Sequence, residues 1–104
     1  MIRKAFKMKL YPGCEKEYRK RHDEIWPEME QELTQAGIHD YTIFLDLEAH
    51  TLFAFQKLEE NHTADDLPKR DVVKRWWYYM KDIMETNSDG SPVITDLEEV
   101  FHFD

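Results

Sequence analysis

The period of the hydrophobic pattern changes from two residues to about 3.6 and back along the chain, which limits the possible folds more than any other feature. Residues 2–10 alternate between apolar and polar side chains and predict a half-buried strand that ends at a turn around Pro12. From Glu15 onward the period is helical, and the apolar face comprises Tyr18, His22, Ile25, Met29, Leu33 and Ala36. Pro27 interrupts this face, so we expect a kinked helix or two abutting helices, with Gly37 as the C-terminal cap.

The rest of the chain goes through the same change of period again. Two runs of β-forming residues, 40–46 and 51–58, flank a short polar link and predict a hairpin. The polar stretch 59–71 predicts a loop with a helical turn. A second amphipathic helix is indicated by Val73, Trp76, Met80 and Ile83. Residues 97–103 then alternate once more and predict a last strand.

The predicted order of elements is β-α-β-β-α-β, which is typical of a ferredoxin-like α+β fold in one domain, residues 1–104. Such a fold has one antiparallel sheet with both helices on one face. The other face is left open, and its aromatic and aliphatic side chains would form an exposed apolar patch. We expect either a second subunit or a ligand pocket with long loops to cover that face.

Composition excludes several classes of partner. The net charge is −8 and the pI is near 5.1, which disfavours binding to nucleic acid phosphates or to an anionic membrane surface. Cys14 is the only cysteine, so neither an intrachain disulfide nor a cysteine metal cluster is expected. The first residues lack the long apolar region of a signal peptide, and no apolar run approaches the ~20 residues of a membrane span. We therefore expect a cytoplasmic protein.

His22 is the side chain best suited to proton transfer, because an imidazole titrates near neutral pH. It follows Tyr18 and precedes Trp26 by one helical turn each, so the three side chains are expected to meet along one edge of the helix. Taken alone, a helical histidine beside aromatic residues is more often a hydrogen-bonded structural residue. Both interpretations stay open at this point.

Trp76 and Trp77 point about 100° apart around the second helix, so they cannot fill the same packing site. We expect one to belong to the core and the other to pack elsewhere or to line a pocket. Tyr41 is either an ordinary hairpin aromatic or a hydroxyl directed into that pocket. The chain has no metal-binding H-E-x-x-H spacing, no glycine-rich phosphate loop and no G-x-S-x-G motif.

At these residues the chain resembles the L-rhamnose mutarotase family, and the resemblance covers essentially its whole length. The matching segments keep the family's spacing as well as its residue types. They are Arg3-Lys4-Ala5-Phe6, Tyr18 to Pro27, Tyr41 with Leu45-Asp46, Arg75-Trp76-Trp77, Ser91-Pro92-Val93 and Leu97 to Phe101.

The resemblance implies a homodimer of the dimeric α/β-barrel type that interconverts the α and β anomers of L-rhamnose with no cofactor and no metal. By position in the family pattern, His22 would be the catalytic acid/base. Tyr18, Tyr41, Trp76 and Trp77 would contact the sugar. Three alternatives remain: a mutarotase for another 6-deoxy sugar such as L-fucose, a small dimeric ferredoxin-like monooxygenase, and a non-catalytic effector-binding module.

Overall fold

The computed structural model describes all residues, 1–104. It contains four strands, three α-helices and one 3₁₀ helix, which occur in chain order as β1 (Ile2–Lys9), α1 (Glu15–Asp23), α2 (Pro27–Gln35), β2 (Ile38–Asp46), β3 (Thr51–Leu58), the 3₁₀ helix (Ala64–Lys69), α3 (Asp71–Met80) and β4 (Thr95–Leu97). None of the helices is long and apolar enough to cross a membrane.

The four strands form one sheet in the order β2-β3-β1-β4, and every neighbouring pair is antiparallel. β1 and β3 lie at the centre and pair over their full length, from Ile2 opposite Leu58 to Lys9 opposite Thr51. The predicted α+β fold is therefore confirmed, as are the hairpin of β2 with β3 and the helical turn in the stretch 59–71.

One face of the sheet packs against the helices and forms the main core. Phe6 and Met8 of β1 lie opposite Ala54 and Leu52 of β3, so these side chains share that face. The helices cover them with buried side chains from each of α1, α2 and α3, namely Tyr18, Met29, Val73, Trp76 and Met80. The helices thus lie on one side of the sheet, as the ferredoxin-like pattern predicts.

The helical run around Pro27 is two helices, not one kinked helix. α1 ends at Asp23, and Trp26 adopts an extended backbone conformation directly before Pro27, which occupies the first turn of α2. A proline is tolerated there because the first N–H groups of a helix have no partner within the helix. At the other end of α2, Gly37 has a φ of +84°, and an added Cβ would lie 3.3 Å from Glu59 and from His62.

Helix α3 is shorter than the spacing of its apolar residues predicts. α3 ends at Met80, and residues 81–83 form a turn in which the Ile83 N–H donates to the Met80 carbonyl. Ile83 is nonetheless buried, because this turn folds back onto the core, where its carbonyl accepts from the Tyr11 N–H. The predicted extension of the helix to Ile83 was wrong because one buried side chain fits either a helix or a turn.

The predicted bounds of the last strand, residues 97–103, were also wrong. β4 comprises only Thr95–Leu97, paired with Ala5, Phe6 and Lys7 of β1, and residues 98–104 have no regular secondary structure. β1 continues as a strand to Ile2, but the chain after Leu97 no longer pairs with it. Val100, Phe101 and Phe103 of this C-terminal segment are 77–88% exposed, so they find no packing site within their own chain.

The sheet face turned away from the helices carries apolar side chains that no part of the chain covers. Phe44 of β2 and Phe55 of β3 meet edge to face with ring centroids 5.8 Å apart, although both are exposed. Leu97 of β4 is exposed too, and it lies opposite Ala5. We name Phe44, Phe55 and Leu97 the outer apolar patch.

Candidate functional site

His22 stands on the last turn of α1 with its ring stacked on that of Tyr18. The two residues are one helical turn apart, so their side chains lie on the same face of the helix. The ring centroids are 4.3 Å apart, and the ring planes are inclined by 28°. Tyr18 is buried and His22 is half-buried, which places the imidazole at the edge of the core and within reach of solvent.

The hydrogen bond of His22 determines which ring nitrogen is available for chemistry. Its Nδ1 lies 3.0 Å from the backbone carbonyl oxygen of Tyr18. A carbonyl oxygen only accepts, so Nδ1 carries the proton and donates. In the neutral imidazole the lone pair is then on Nε2, which has no hydrogen-bond partner in the chain. His22 is thereby arranged as a proton acceptor at Nε2.

Burial holds the pKa of His22 below its usual value of 6.5, because the charged imidazolium loses hydration. The bond to the Tyr18 carbonyl and the negative charge of Asp23 act in the opposite direction but do not offset the burial. At neutral pH the side chain is therefore mostly in the neutral form, which is the form that accepts a proton.

Besides Tyr18, the His22 ring contacts Trp76 of α3. The Trp76 ring meets the imidazole edge to face, with centroids 5.5 Å apart and planes at 87°. Trp76 is also buried among the main core residues, so it has the two roles that the sequence assigned to different tryptophans. Its position follows from the helical spacing of Val73, Trp76 and Met80, the buried residues of α3.

Tyr41 approaches the same region from the sheet. The pairing of β2 with β3 is irregular between His39 and Thr42, and Asp40 has a φ of 50°. Tyr41 lies within this bulge, and its ring meets that of inward-facing Phe6 at 6.5 Å, edge to face. More than a third of the side chain is exposed (37%), but desolvation of the hydroxyl raises its pKa to about 12, against a smaller opposing effect of Gln56.

Tyr18 of α1 and Tyr41 of β2 are close enough that Tyr41 affects the pKa of Tyr18. Burial raises the pKa of Tyr18 well above its usual value of 10.0, and the nearby Tyr41 adds to the rise. Both hydroxyls therefore stay protonated at any physiological pH, and each can donate as well as accept a hydrogen bond. Tyr18, His22, Tyr41 and Trp76, four of the five residues that the resemblance assigns to the site, thus lie in one region of the structure.

Trp77 is the candidate that the structure does not bring against the imidazole. It is half-buried and packs on the main core, and its ring does not pair with that of His22. The predicted meeting of Tyr18, His22 and Trp26 along one helix edge is also wrong, because α1 ends before Trp26. The Trp26 ring instead meets Trp76 at 5.1 Å.

Three side chains that lie beside the site were not identified by the sequence analysis. Arg21 of α1 binds the end of α3, and Tyr79 of α3 stacks on Trp26 with centroids 5.7 Å apart. Gln56 of β3 interacts with the Tyr41 hydroxyl. The first two make contacts between residues more than fifty positions apart, and no local pattern reports such pairs. For Gln56, the one available signal was a polar residue at an inward position of a strand.

No group of three or more His, Cys, Asp or Glu side chains is placed to hold a metal ion. Cys14 is partly buried against the core at the start of α1 and has no histidine or acid partner. Two open depressions in the surface, of about 710 and 250 Å³, do not include His22 in their linings, although Arg21 and Tyr79 line the larger one. The chemistry available at the site is therefore that of one imidazole, two phenol hydroxyls and aromatic surfaces.

Comparison with known proteins identifies relatives over the whole chain. Residues 3–103 match a family model described as L-rhamnose mutarotase. The chain is 53% identical to an L-rhamnose mutarotase of Bacteroides thetaiotaomicron, with all of both chains covered. It is 56% identical over 98 residues to an L-rhamnose mutarotase of Rhizobium johnstonii, which covers 94% of this chain and 92% of that one.

A solved structure gives the same result for the fold. The crystal structure of an L-rhamnose mutarotase from Formosa agariphila superposes with a TM-score of 0.93 at 47% identity and covers all of both chains. This agreement favours the mutarotase over the monooxygenase and over the effector-binding module. The chain belongs to the L-rhamnose mutarotase family, and is thus an isomerase that acts on a carbohydrate.

Proposed function

We propose that His22 is the group with which this mutarotase moves the proton during exchange of the α and β anomers of L-rhamnose. The observation that carries the proposal is the geometry of the imidazole: Nδ1 is bound to the Tyr18 carbonyl, Nε2 has no partner within the chain, and the ring contacts those of Tyr18 and Trp76. A purely structural histidine would be expected to use both nitrogens in hydrogen bonds within the chain, whereas Nε2 of His22 is left for a ligand.

The reaction needs one proton to change its position. Nε2 of His22 takes the proton of the anomeric hydroxyl while the bond between the anomeric carbon and the ring oxygen breaks, and the imidazolium returns a proton to that oxygen. The open aldehyde turns about the bond to its neighbouring carbon. Closure from the other face of the aldehyde reverses the two transfers and gives the other anomer. The imidazole is neutral again at the end, so the cycle balances without a cofactor.

The remaining candidates are suited to holding the sugar. The hydroxyls of Tyr18 and Tyr41 are kept protonated by burial and can bond sugar hydroxyls as donors and acceptors. The ring of Trp76, and that of Trp77 beside it on α3, offers apolar surface to the ring C–H groups and to the 6-deoxy methyl. A 6-deoxy sugar with another arrangement of hydroxyls, such as L-fucose, would fit these apolar contacts and would be discriminated by the tyrosines.

The protein is expected to accelerate anomer exchange of L-rhamnose in buffer that contains a chelator and no nucleotide. Magnetisation-transfer NMR on an equilibrium mixture of the two pyranose forms measures this rate directly. L-fucose and D-glucose are run in parallel as tests of specificity. A rate for L-rhamnose equal to that of buffer with the same concentration of free imidazole would contradict the proposal.

Replacement of the imidazole should remove catalysis and leave the fold intact. His22→Ala is expected to lower kcat by about 10²-fold or more with little change in KM, because general acid–base catalysis contributes about that much. Trp77→Ala serves as comparison and should raise KM, since a packing contact is present in both ground and transition states. Thermal melts accompany each rate. If His22→Ala melts and exchanges anomers like the wild type, the imidazole is structural.

The pH dependence should report the lowered pKa of His22. The proton-accepting form is the neutral imidazole, so kcat/KM should be level at neutral pH and fall on acidification. Because burial lowers the pKa, the midpoint of this fall should lie below 6.5. The buffer-catalysed rate is subtracted at each pH. A midpoint above 6.5 would mean that the group whose titration controls kcat/KM is not a buried imidazole.

We also propose that a second copy of the chain covers the outer apolar patch, giving a homodimer. The patch lies on a sheet face that the chain itself leaves open, and the exposed apolar residues of the C-terminal segment 98–104 adjoin it through β4. A twofold dimer buries the same patch on both copies and is the commonest arrangement of small soluble oligomers. Burial of the aromatic pair Phe44 and Phe55 supplies the hydrophobic free energy.

Light scattering at micromolar concentration should give about twice the chain mass of 12.6 kDa. Phe44→Glu should shift the protein to the monomer, because it places a charge in a dry interface. Tyr78→Glu is the matched control: Tyr78 is an aromatic residue of similar exposure, 68% against 61%, and it lies on α3 instead of the outer sheet face. A monomeric wild type, or two variants with equal effects, would contradict the proposed interface.

A further inference from the structure

Arg21 is the most completely bound charged side chain of the protein. It precedes His22 on the last turn of α1, and its side chain is only 10% exposed. Its Nε donates to Glu17 at 2.8 Å, and its two terminal nitrogens donate to Asp82 at 2.9 and 3.2 Å. One of them also donates to the Tyr79 carbonyl at 2.7 Å, and the guanidinium lies 4.3 Å from the centre of the Tyr79 ring.

These contacts join two helices whose backbones lie apart. The backbones of α1 and α3 make few close approaches, so side chains span the distance between them. Tyr79 and Asp82 belong to the end of α3 and to the turn after it, whereas Glu17 belongs to α1. The planar fork of an arginine binds a carboxylate through two parallel bonds and fixes its direction, which the ammonium group of a lysine does not do.

The partners of Arg21 continue into the walls of the site. Tyr79 stacks on Trp26 at 5.7 Å, Trp26 meets Trp76 edge to face at 5.1 Å, and Trp76 meets the His22 imidazole at 5.5 Å. The guanidinium and the imidazole are thus at the two ends of one set of packed rings. Both also belong to the same turn of α1. Any movement of that turn relative to α3 changes the distance between His22 and Trp76.

We propose that Arg21 is a positioning residue for the anomer exchange. It holds the turn of α1 that carries His22 at a fixed place against α3, and it does so without touching the sugar. The inference rests on the proposed role of His22 as proton carrier. Its physical reason is that proton transfer requires hydrogen-bond distance between Nε2 and the sugar oxygens, and small displacements of a catalytic group are costly in rate.

The chain offers a matched control in Arg70. This arginine also binds a carboxylate through two bonds, from Nε and one terminal nitrogen to Glu32 at 2.8 and 3.1 Å, and joins α2 to the start of α3. Its side chain is more exposed than that of Arg21, 58% against 10%, and none of the rings around His22 contacts it. Loss of this fork removes a bridge between helices but leaves the site walls as they are.

The test compares Arg21→Met, Arg21→Lys and Arg70→Met at a temperature where melts show all of them folded. Arg21→Met should lower kcat about tenfold or more and change KM less than about twofold. Arg21→Lys, which keeps the charge and loses the fork, should recover part of kcat. Arg70→Met should retain both wild-type constants. Asp82→Asn, which weakens the fork from the other side, replaces Arg21→Met if that variant does not fold.

An NMR measurement tests the positioning without reference to turnover. The C–H signals of the His22 imidazole are shifted by the ring of Trp76, so they report the mutual placement of the two rings. They should move in Arg21→Met and Asp82→Asn and stay in place in Arg70→Met. Wild-type kcat together with unchanged His22 signals in the Arg21 variants would overturn the inference. If the wild type itself fails to exchange anomers, the proposed function is wrong, and the imidazole signals still decide whether Arg21 positions the ring.

Discussion

The rest of the structure depends on the register of β1 against β3. Phe6 lies opposite Ala54 and Met8 opposite Leu52, which places these side chains on the face that the helices cover. Because successive residues of a strand point to opposite faces, a slip of one residue would turn this set to solvent and bring lysines under the helices. Ala54 is fully buried at the middle of the face, where its small side chain leaves room for the large residues of the helices.

The candidate site is formed partly by side chains that also belong to the main core. Tyr18 and Trp76 are core residues, and His22 is held between them at the margin of the core. The burial that stabilises α1 therefore also lowers the pKa of the imidazole and keeps the tyrosine hydroxyls protonated. A chemistry that only relocates a proton needs little more than this: one neutral base, neutral hydrogen-bonding groups and a dry aromatic surface.

The fold and most of the candidate site could be predicted from the sequence, because both follow from local period and from residue type. The alternation of β1, the helical spacing that aligns Tyr18 with His22, and the helix boundary at Pro27 are properties of short segments. The shortened β4 could not be predicted, since the alternation of residues 97–103 does not report where pairing with β1 stops. The bridge from Arg21 to Asp82 joins residues 61 positions apart and leaves no local pattern. The single domain and the cytoplasmic location stay predictions.

The two faces of β1 are turned toward different proposed functions, anomer exchange on one side and dimerisation on the other. Residues of one parity, such as Phe6 and the half-buried Lys4 opposite Gln56, face the helices and the surroundings of Tyr41. Residues of the other parity, such as Ala5 opposite Leu97, face the outer apolar patch. Strand alternation thus places subunit contact and sugar chemistry on opposite sides of one strand. Under these two proposals, a substitution at one face of β1 that disturbs both assembly and catalysis is expected to act by shifting the register of the strand.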